Sequence, residues 1–162
     1  MTTIYRSIEK KDNLHLTNLI RNIFIEHKAH YRSGTIFTDP STDDLYELFQ
    51  TPRSLCWISI IEDKIIGCCG IYPTLGLPIK CAELVKFYLL HEYRGMGIGK
   101  ELLNKCVSSA VMLKYEKLYL ESLPEFDKAV GMYVRYGFIH LDKPIGNSGH
   151  FGCNIWMEKR IS

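Results

Sequence analysis

No run of apolar residues in this 162-residue chain approaches the ~18 that a membrane span needs. The opening stretch "MTTIYRSIEKKDNLHL" also lacks the apolar centre of a secretory signal, so a cytoplasmic protein with no membrane partner is expected. Charge of one sign is missing too. Twenty Lys and Arg stand against 18 Asp and Glu, a formal net of +2 that offers no electrostatic footprint for nucleic acid or an anionic bilayer. The six cysteines (Cys56, Cys68, Cys69, Cys81, Cys106 and Cys153) show no C-x-x-C spacing, and most sit inside apolar runs. They read as reduced core thiols, not as a disulfide framework. No metal is expected: His150-x-x-Cys153 has no second pair at ligand spacing, and a structural zinc needs four ligands. Internal repeats and linkers are absent. With 46% hydrophobic and 23% charged residues, the chain reads as one globular domain over 1–162.

Hydrophobic periodicity divides that domain. A short strand is expected over 2–8 and an amphipathic helix over 12–29, with Leu16, Leu19, Ile20, Ile23 and Phe24 on one face. "FTDPSTDDLYELF" predicts a second short helix capped by Ser41 or Thr42. Strands at 54–61 and 64–72 form a hairpin through Glu62-Asp63-Lys64, and a Pro- and Gly-rich loop over 73–79 leads to the strand "KCAELVKFYLL". A helix in "GKELLNKCVSSAVMLKY", a strand in "KLYLESL" and a helix in "PEFDKAVGMYVRYGF" ending at Gly137 follow, then strands near 138–142 and 150–159.

Between the long strand and its helix lies "YRGMGIGKELL", with glycines at 95, 97 and 99. A helix N-terminus presents unpaired N–H groups and partial positive charge, and bare backbone before it lets a phosphate approach closely. A nucleotide P-loop is excluded, because Lys100 is followed by Glu101 and not by a metal-binding hydroxyl. A dinucleotide fold would match Glu121 to its ribose-binding acid, but the spacing here is G-x-G-x-G and one strand-helix-strand unit lies behind an antiparallel hairpin.

Arg94-x-x-Gly97-x-Gly99 after a strand and before a helix resembles the acyl-CoA signature R/Q-x-x-G-x-G/A of the GNAT N-acetyltransferase superfamily. "AVGMYVRYGF" (129–138) resembles that family's later A-x-x-L-Y-x-x-x-G-F helix, and "AELVKFYLL" resembles its fourth strand. The order of elements matches along nearly the whole chain. The resemblance implies an α/β fold, a mixed and mainly antiparallel sheet with helices on both faces, that transfers acetyl from acetyl-CoA to an amine in a ternary complex.

On that resemblance the pyrophosphate is held by N–H groups around Gly95, Met96, Gly97, Ile98, Gly99 and Lys100, with Arg94 fixing the loop or adding charge. The pantetheine arm lies beside Phe87, Tyr88 and Leu89; Lys100, Lys105, Lys128 and Arg135 are candidates for the 3′-phosphate. Glu83, on a mostly apolar strand, is the candidate general base, and Tyr133 the candidate acid toward the CoA sulfur, with His91 as another proton path. The family's frequent Asn is replaced by Phe126. The acceptor, a small-molecule or peptide amine, is expected between 30–40 and 146–152, where Asp39, Asp43 and Asp44 would favour a cation. The same fold leaves room for a homodimer, or for a binding or sensing module that holds acyl-CoA without turnover.

Overall fold

A computed structural model describes residues 1–162. The chain runs β1 (Ile4–Ser7), α1 (Asn13–Glu26), α2 (Leu45–Leu48), β2 (Leu55–Ile61), β3 (Lys64–Tyr72), β4 (Cys81–Leu89), α3 (Ile98–Met112), β5 (Lys117–Ser122), α4 (Asp127–Tyr136), β6 (Ile139–Leu141) and β7 (Ile155–Arg160). The strands form one sheet in the order β1-β2-β3-β4-β5-β7-β6. Only β4 and β5 are parallel, because α3 carries the chain back across the sheet between them; hairpins and short connections make the other pairs antiparallel. The mixed, mainly antiparallel α/β sheet is therefore as expected.

Alternation along β4 explains why both faces of the sheet are covered. Ala82, Leu84, Phe87 and Leu89 join the core under α3 and α4, while Val85 and Tyr88 join the core under α1 and α2. The switch of parity between Val85 and Phe87 comes from a bulge: Gly70 faces Val85 and Cys68 faces Tyr88, so two residues of β4 oppose Cys69 alone. Lys86, the first of those two, has φ +56°, a left-handed conformation unusual for a residue with a Cβ.

Beyond shifts of one or two residues, three boundaries differ from the sequence reading. The first helix stops at Glu26, three residues short of 29, because Lys28 turns left-handed at φ +55° and the Ala29 N–H donates to the Phe24 carbonyl at 2.8 Å. The second helix does not start on a Ser41 or Thr42 cap. Asp39 caps a tight turn over Pro40–Asp43, its Oδ1 accepting from the Ser41 N–H at 2.9 Å, and α2 begins only at Leu45. The last strand begins at Ile155, not 150, since Gly149 has φ +79° and the Gly152 N–H donates to Gly34 instead of extending the ladder. All six cysteines are free. No helix is long and apolar enough to cross a membrane.

Candidate active site

The cradle follows from local backbone chemistry. Gly95 and Gly97 have φ +78° and +82°, and a Cβ built on either would meet nothing within 4 Å. Both glycines are there for conformation, and their bare faces open outward. Gly97 caps α3, yet no side chain bonds to the first turn, so the helix's leading N–H groups and its positive end are left for an anion. Gly99 serves close packing instead: its Cβ would stand 3.3 Å from the Phe87 ring. Ile98 contributes backbone only, its side chain being buried in the core, and Met96 is exposed.

Arg94 holds the loop in place at the edge of the cleft. Its Nε donates to the Leu89 carbonyl at 2.9 Å, and its Nη1 pairs with Glu26 at 2.6 Å, tying the loop to the end of α1. The cradle opens into a cleft of about 320 Å³ lined by Phe87, Tyr88, Leu89, the three glycines, Lys100, Lys128, Met132 and Arg135. Lys105 lies elsewhere, its ammonium over the Trp57 and Tyr5 rings at 5.0 and 5.1 Å, so it drops out as a phosphate ligand. His91 is exposed beside Glu26 and lines neither cleft described here, which removes it as a proton path.

Behind the first cleft the sheet forks. β4 and β5 pair only at Cys81–Lys117, Ala82–Leu118 and Glu83–Tyr119; beyond Glu83, β4 keeps β3 on one side and has no strand on the other. That free edge offers main-chain groups to an extended ligand. A second, narrower cleft of about 70 Å³ lies in the fork and shares Phe87, Tyr88, Phe126 and Ala129 with the first. Into it face Glu83, Lys86, Glu121, Tyr133 and His150.

Burial sets the chemistry of that second cleft. Glu83 is 4% exposed and its Oε1 has no hydrogen-bond partner. Loss of water, reinforced by the nearby Glu121 carboxylate, pushes its pKa up to about 8. Glu121 is held on both oxygens, accepting from the Tyr119 hydroxyl at 2.6 Å and from the Ser148 hydroxyl. Tyr133 packs against Phe87 with ring centroids 5.8 Å apart, and burial raises its hydroxyl well above the ordinary tyrosine range, so it remains a proton donor.

Residues 20–138 match the Acetyltransferase (GNAT) family. The chain belongs to that family. It is 28% identical over 158 residues to the "Uncharacterized N-acetyltransferase YjgM" of Escherichia coli K12, covering 98% of this chain and 95% of that one. A GNAT acetyltransferase from Staphylococcus aureus Mu50 shares the fold with a TM-score of 0.84 at 19% identity, over 99% of this chain and 100% of that chain. The PaiA N-acetyltransferase of Thermoplasma acidophilum, solved with coenzyme A, superposes with a TM-score of 0.79 at 20% identity over 99% of both chains.

Of the residues read from the sequence as this GNAT domain's site, Phe87, Tyr88, Leu89, Arg94, Gly95, Gly97, Gly99 and Lys100 line the first cleft, and Glu83 and Tyr133 the second. The acidic residues divide. Asp43 is exposed and paired with Arg21 at 2.8 Å, while the Asp39 carboxylate accepts a hydrogen bond from His150 Nε2 at 2.7 Å, joining 30–40 to 146–152. Asp44 precedes α2 and lines neither cleft. Sequence reasoning passed over Lys86 and gave Glu121 no role in catalysis or acceptor binding. The one available signal for Lys86 was a lysine in an otherwise apolar strand.

Proposed function

We propose that the protein moves the acetyl group of acetyl-CoA to a primary amine by direct attack in a ternary complex. One observation carries this: an uncapped helix start with left-handed glycines leads, along a strand edge without a partner, to a buried carboxylate with an unpaired oxygen. The fit to coenzyme A is chemical. Diphosphate suits the bare N–H groups of Ile98, Gly99 and Lys100, and the extended pantetheine suits the free edge of β4. Lys100, Lys128 and Arg135 at the cleft supply cations for a 3′-phosphate. The complex of the Thermoplasma relative with coenzyme A supports the same cofactor here.

When bound, acetyl-CoA supplies an activated acyl group, and the side chains manage protons. In its ionised form Glu83 accepts one from the entering ammonium, directly or through a water; its raised pKa of about 8 brings its basicity closer to that of an amine, and its ionised fraction grows as pH rises toward 8. Tyr133 donates its hydroxyl proton where the thiolate leaves. Phe87, Phe126 and Ala129, shared by the two clefts, exclude water from the junction.

The deciding experiment is thiol release from acetyl-CoA with free amino acids, polyamines, aminoglycosides and peptide N-termini as acceptors. Release with at least one amine is expected. Tight coenzyme A binding without release from any of them would leave a binding module instead. A companion result is expected for Tyr133→Phe: acetyl-CoA affinity close to wild type, since the ring contacts with Phe87 and Phe138 survive, and turnover lower by about 10²-fold because the donor is gone. Equal turnover at saturating substrate would return Tyr133 to the core.

A further inference from the structure

We propose that the acceptor presents an acidic group, a carboxylate in its simplest form, within a few atoms of its reacting amine, and that Lys86 receives it. The inference rests on the acetyltransferase reading and names its substrate class: a small amino acid or an amine built like one.

The bulge that interrupts β4 turns Lys86 onto the same face as Glu83. Unbulged, residue 86 would share the parity of Ala82 and Leu84 and point toward α3. With φ +56° its charge is felt instead by Asp39, Glu83 and the core thiols Cys68 and Cys56 under α1. Lys86 is 5% exposed, lines the narrow cleft and forms no hydrogen bond or ion pair within the protein. A buried, unpaired ammonium is costly, and burial accordingly lowers its pKa.

Each carboxylate that could neutralise it is committed. Asp39 is held by His150 at 2.7 Å and by the Ser41 N–H at 2.9 Å. Glu121 is held by Tyr119 and Ser148. Glu83, with its pKa near 8, is ionised only in a minor fraction at pH 7, and that fraction is what takes the amine's proton. The cleft therefore offers an acceptor for an amine's proton and, three residues along the same strand, a cation awaiting an anion.

The size of the cleft narrows the ligand further. At about 70 Å³ against about 320 Å³ for the first cleft, the fork is narrow where Glu83 and Lys86 face it, which favours a slender acceptor with its amine and acidic group close together. A polyamine would set ammonium against ammonium, a repulsion that selects against it.

The test is thiol release from acetyl-CoA with matched acceptors: glycine against glycinamide, β-alanine against its amide, and 4-aminobutyrate against its amide, with spermidine alongside. In wild type at least one acid is expected to exceed its own amide by ~10-fold or more in kcat/KM, mainly through KM. Lys86→Met should bring that ratio to about unity and Lys86→Arg should retain part of it, with acetyl-CoA affinity by calorimetry checking that each variant is folded. Amides or spermidine turned over as well as the acids would overturn the inference and leave the acetyltransferase reading standing. Thiol release from no amine would instead remove that reading itself. A preference that survives Lys86→Met would also overturn it, as would a loss of acids and amides alike with the acidic limb of the pH profile, which would make Lys86 the base. The wild-type comparison needs no variant to fold.

Discussion

Gly97→Asp is expected to keep its circular dichroism and to lose coenzyme A affinity by ~100-fold or more, read by calorimetry. Position 97 caps α3 and its built Cβ meets nothing within 4 Å, so the fold has no steric reason to fail. The φ of +82° costs a non-glycine residue about 1–2 kcal/mol, with aspartate among the more tolerant. The new carboxylate would then stand at the helix's positive end, in the space proposed for the diphosphate. Two like charges 4 Å apart at a partly wet site repel by about 4 kcal/mol, more than the ~2.7 kcal/mol of a hundredfold loss.

Gly97→Asn separates the causes. It carries the same backbone strain without the charge and should weaken binding by about tenfold at most. Equal losses in the two variants would mean that loop shape and not anion binding matters; unchanged affinity in Gly97→Asp would remove the cradle from the cofactor site. Gly99→Glu is a poorer probe, since its Cβ would already press on Phe87 at 3.3 Å and mix packing with charge.

The glycine loop was legible because its chemistry is local: strand, turn and helix follow one another, and three bare positions before an amphipathic run imply an open helix start wherever the rest of the chain goes. The hairpin was legible for the same reason, with Glu62 and Asp63 both left-handed at φ +48° and +63°. The narrow cleft was not. Glu121 gained its place only because β7 pairs along β5 while β4 parts from it after Glu83, bringing residues 83 and 121 to one opening. Periodicity is a signal along one element and says nothing about where two strands diverge. Lys86 was hidden by the bulge, since strict alternation would send its side chain to the opposite face. Asp39 and His150 were each noticed on separate loops, but their 2.7 Å contact spans 111 residues.

That fork also explains how one carboxylate can be both buried and reachable. A strand paired on both sides would have filled the space above Glu83 with its neighbour's side chains. Here the last β4–β5 pair is at Glu83 itself, so the residue is buried by the sheet and yet open toward the gap. Burial supplies the raised pKa and the gap supplies access, two properties that an ordinary core position or an ordinary surface position would not combine.

Glu83→Gln is expected to reduce turnover by ~10²–10⁴ with little change in acetyl-CoA affinity, and at the same time to make the free protein more resistant to urea above neutral pH. The amide keeps the shape of the side chain and cannot accept the amine's proton. In wild type, kcat/KM should rise with pH to a plateau with an apparent pKa near 8, measured on an amine already neutral at pH 6 so that the acceptor's own titration does not intrude. The variant should show no such limb. The stability effect has the opposite sign, and it follows from linkage. The folded protein holds the Glu83 proton up to about pH 8, whereas the unfolded chain releases it near the ordinary 4.5. Between those values the native state binds more protons, so stability conferred by the neutral form is complete below pH 4.5 and is lost as pH rises to about 8. From pH 5 to pH 8 that amounts to roughly 3–4 kcal/mol, the slope of ~1.36 kcal/mol per unit flattening toward both ends of the range. Glutamine has no such loss, although its buried amide carries a constant cost of about 1–3 kcal/mol for a hydrogen bond it does not make. The urea midpoints of the two proteins should therefore converge or favour wild type near pH 5 and favour the variant by pH 8. Parallel stability profiles would show that Glu83 is not a carboxyl held neutral by burial, and turnover within about threefold of wild type would assign the base to another group in the fork.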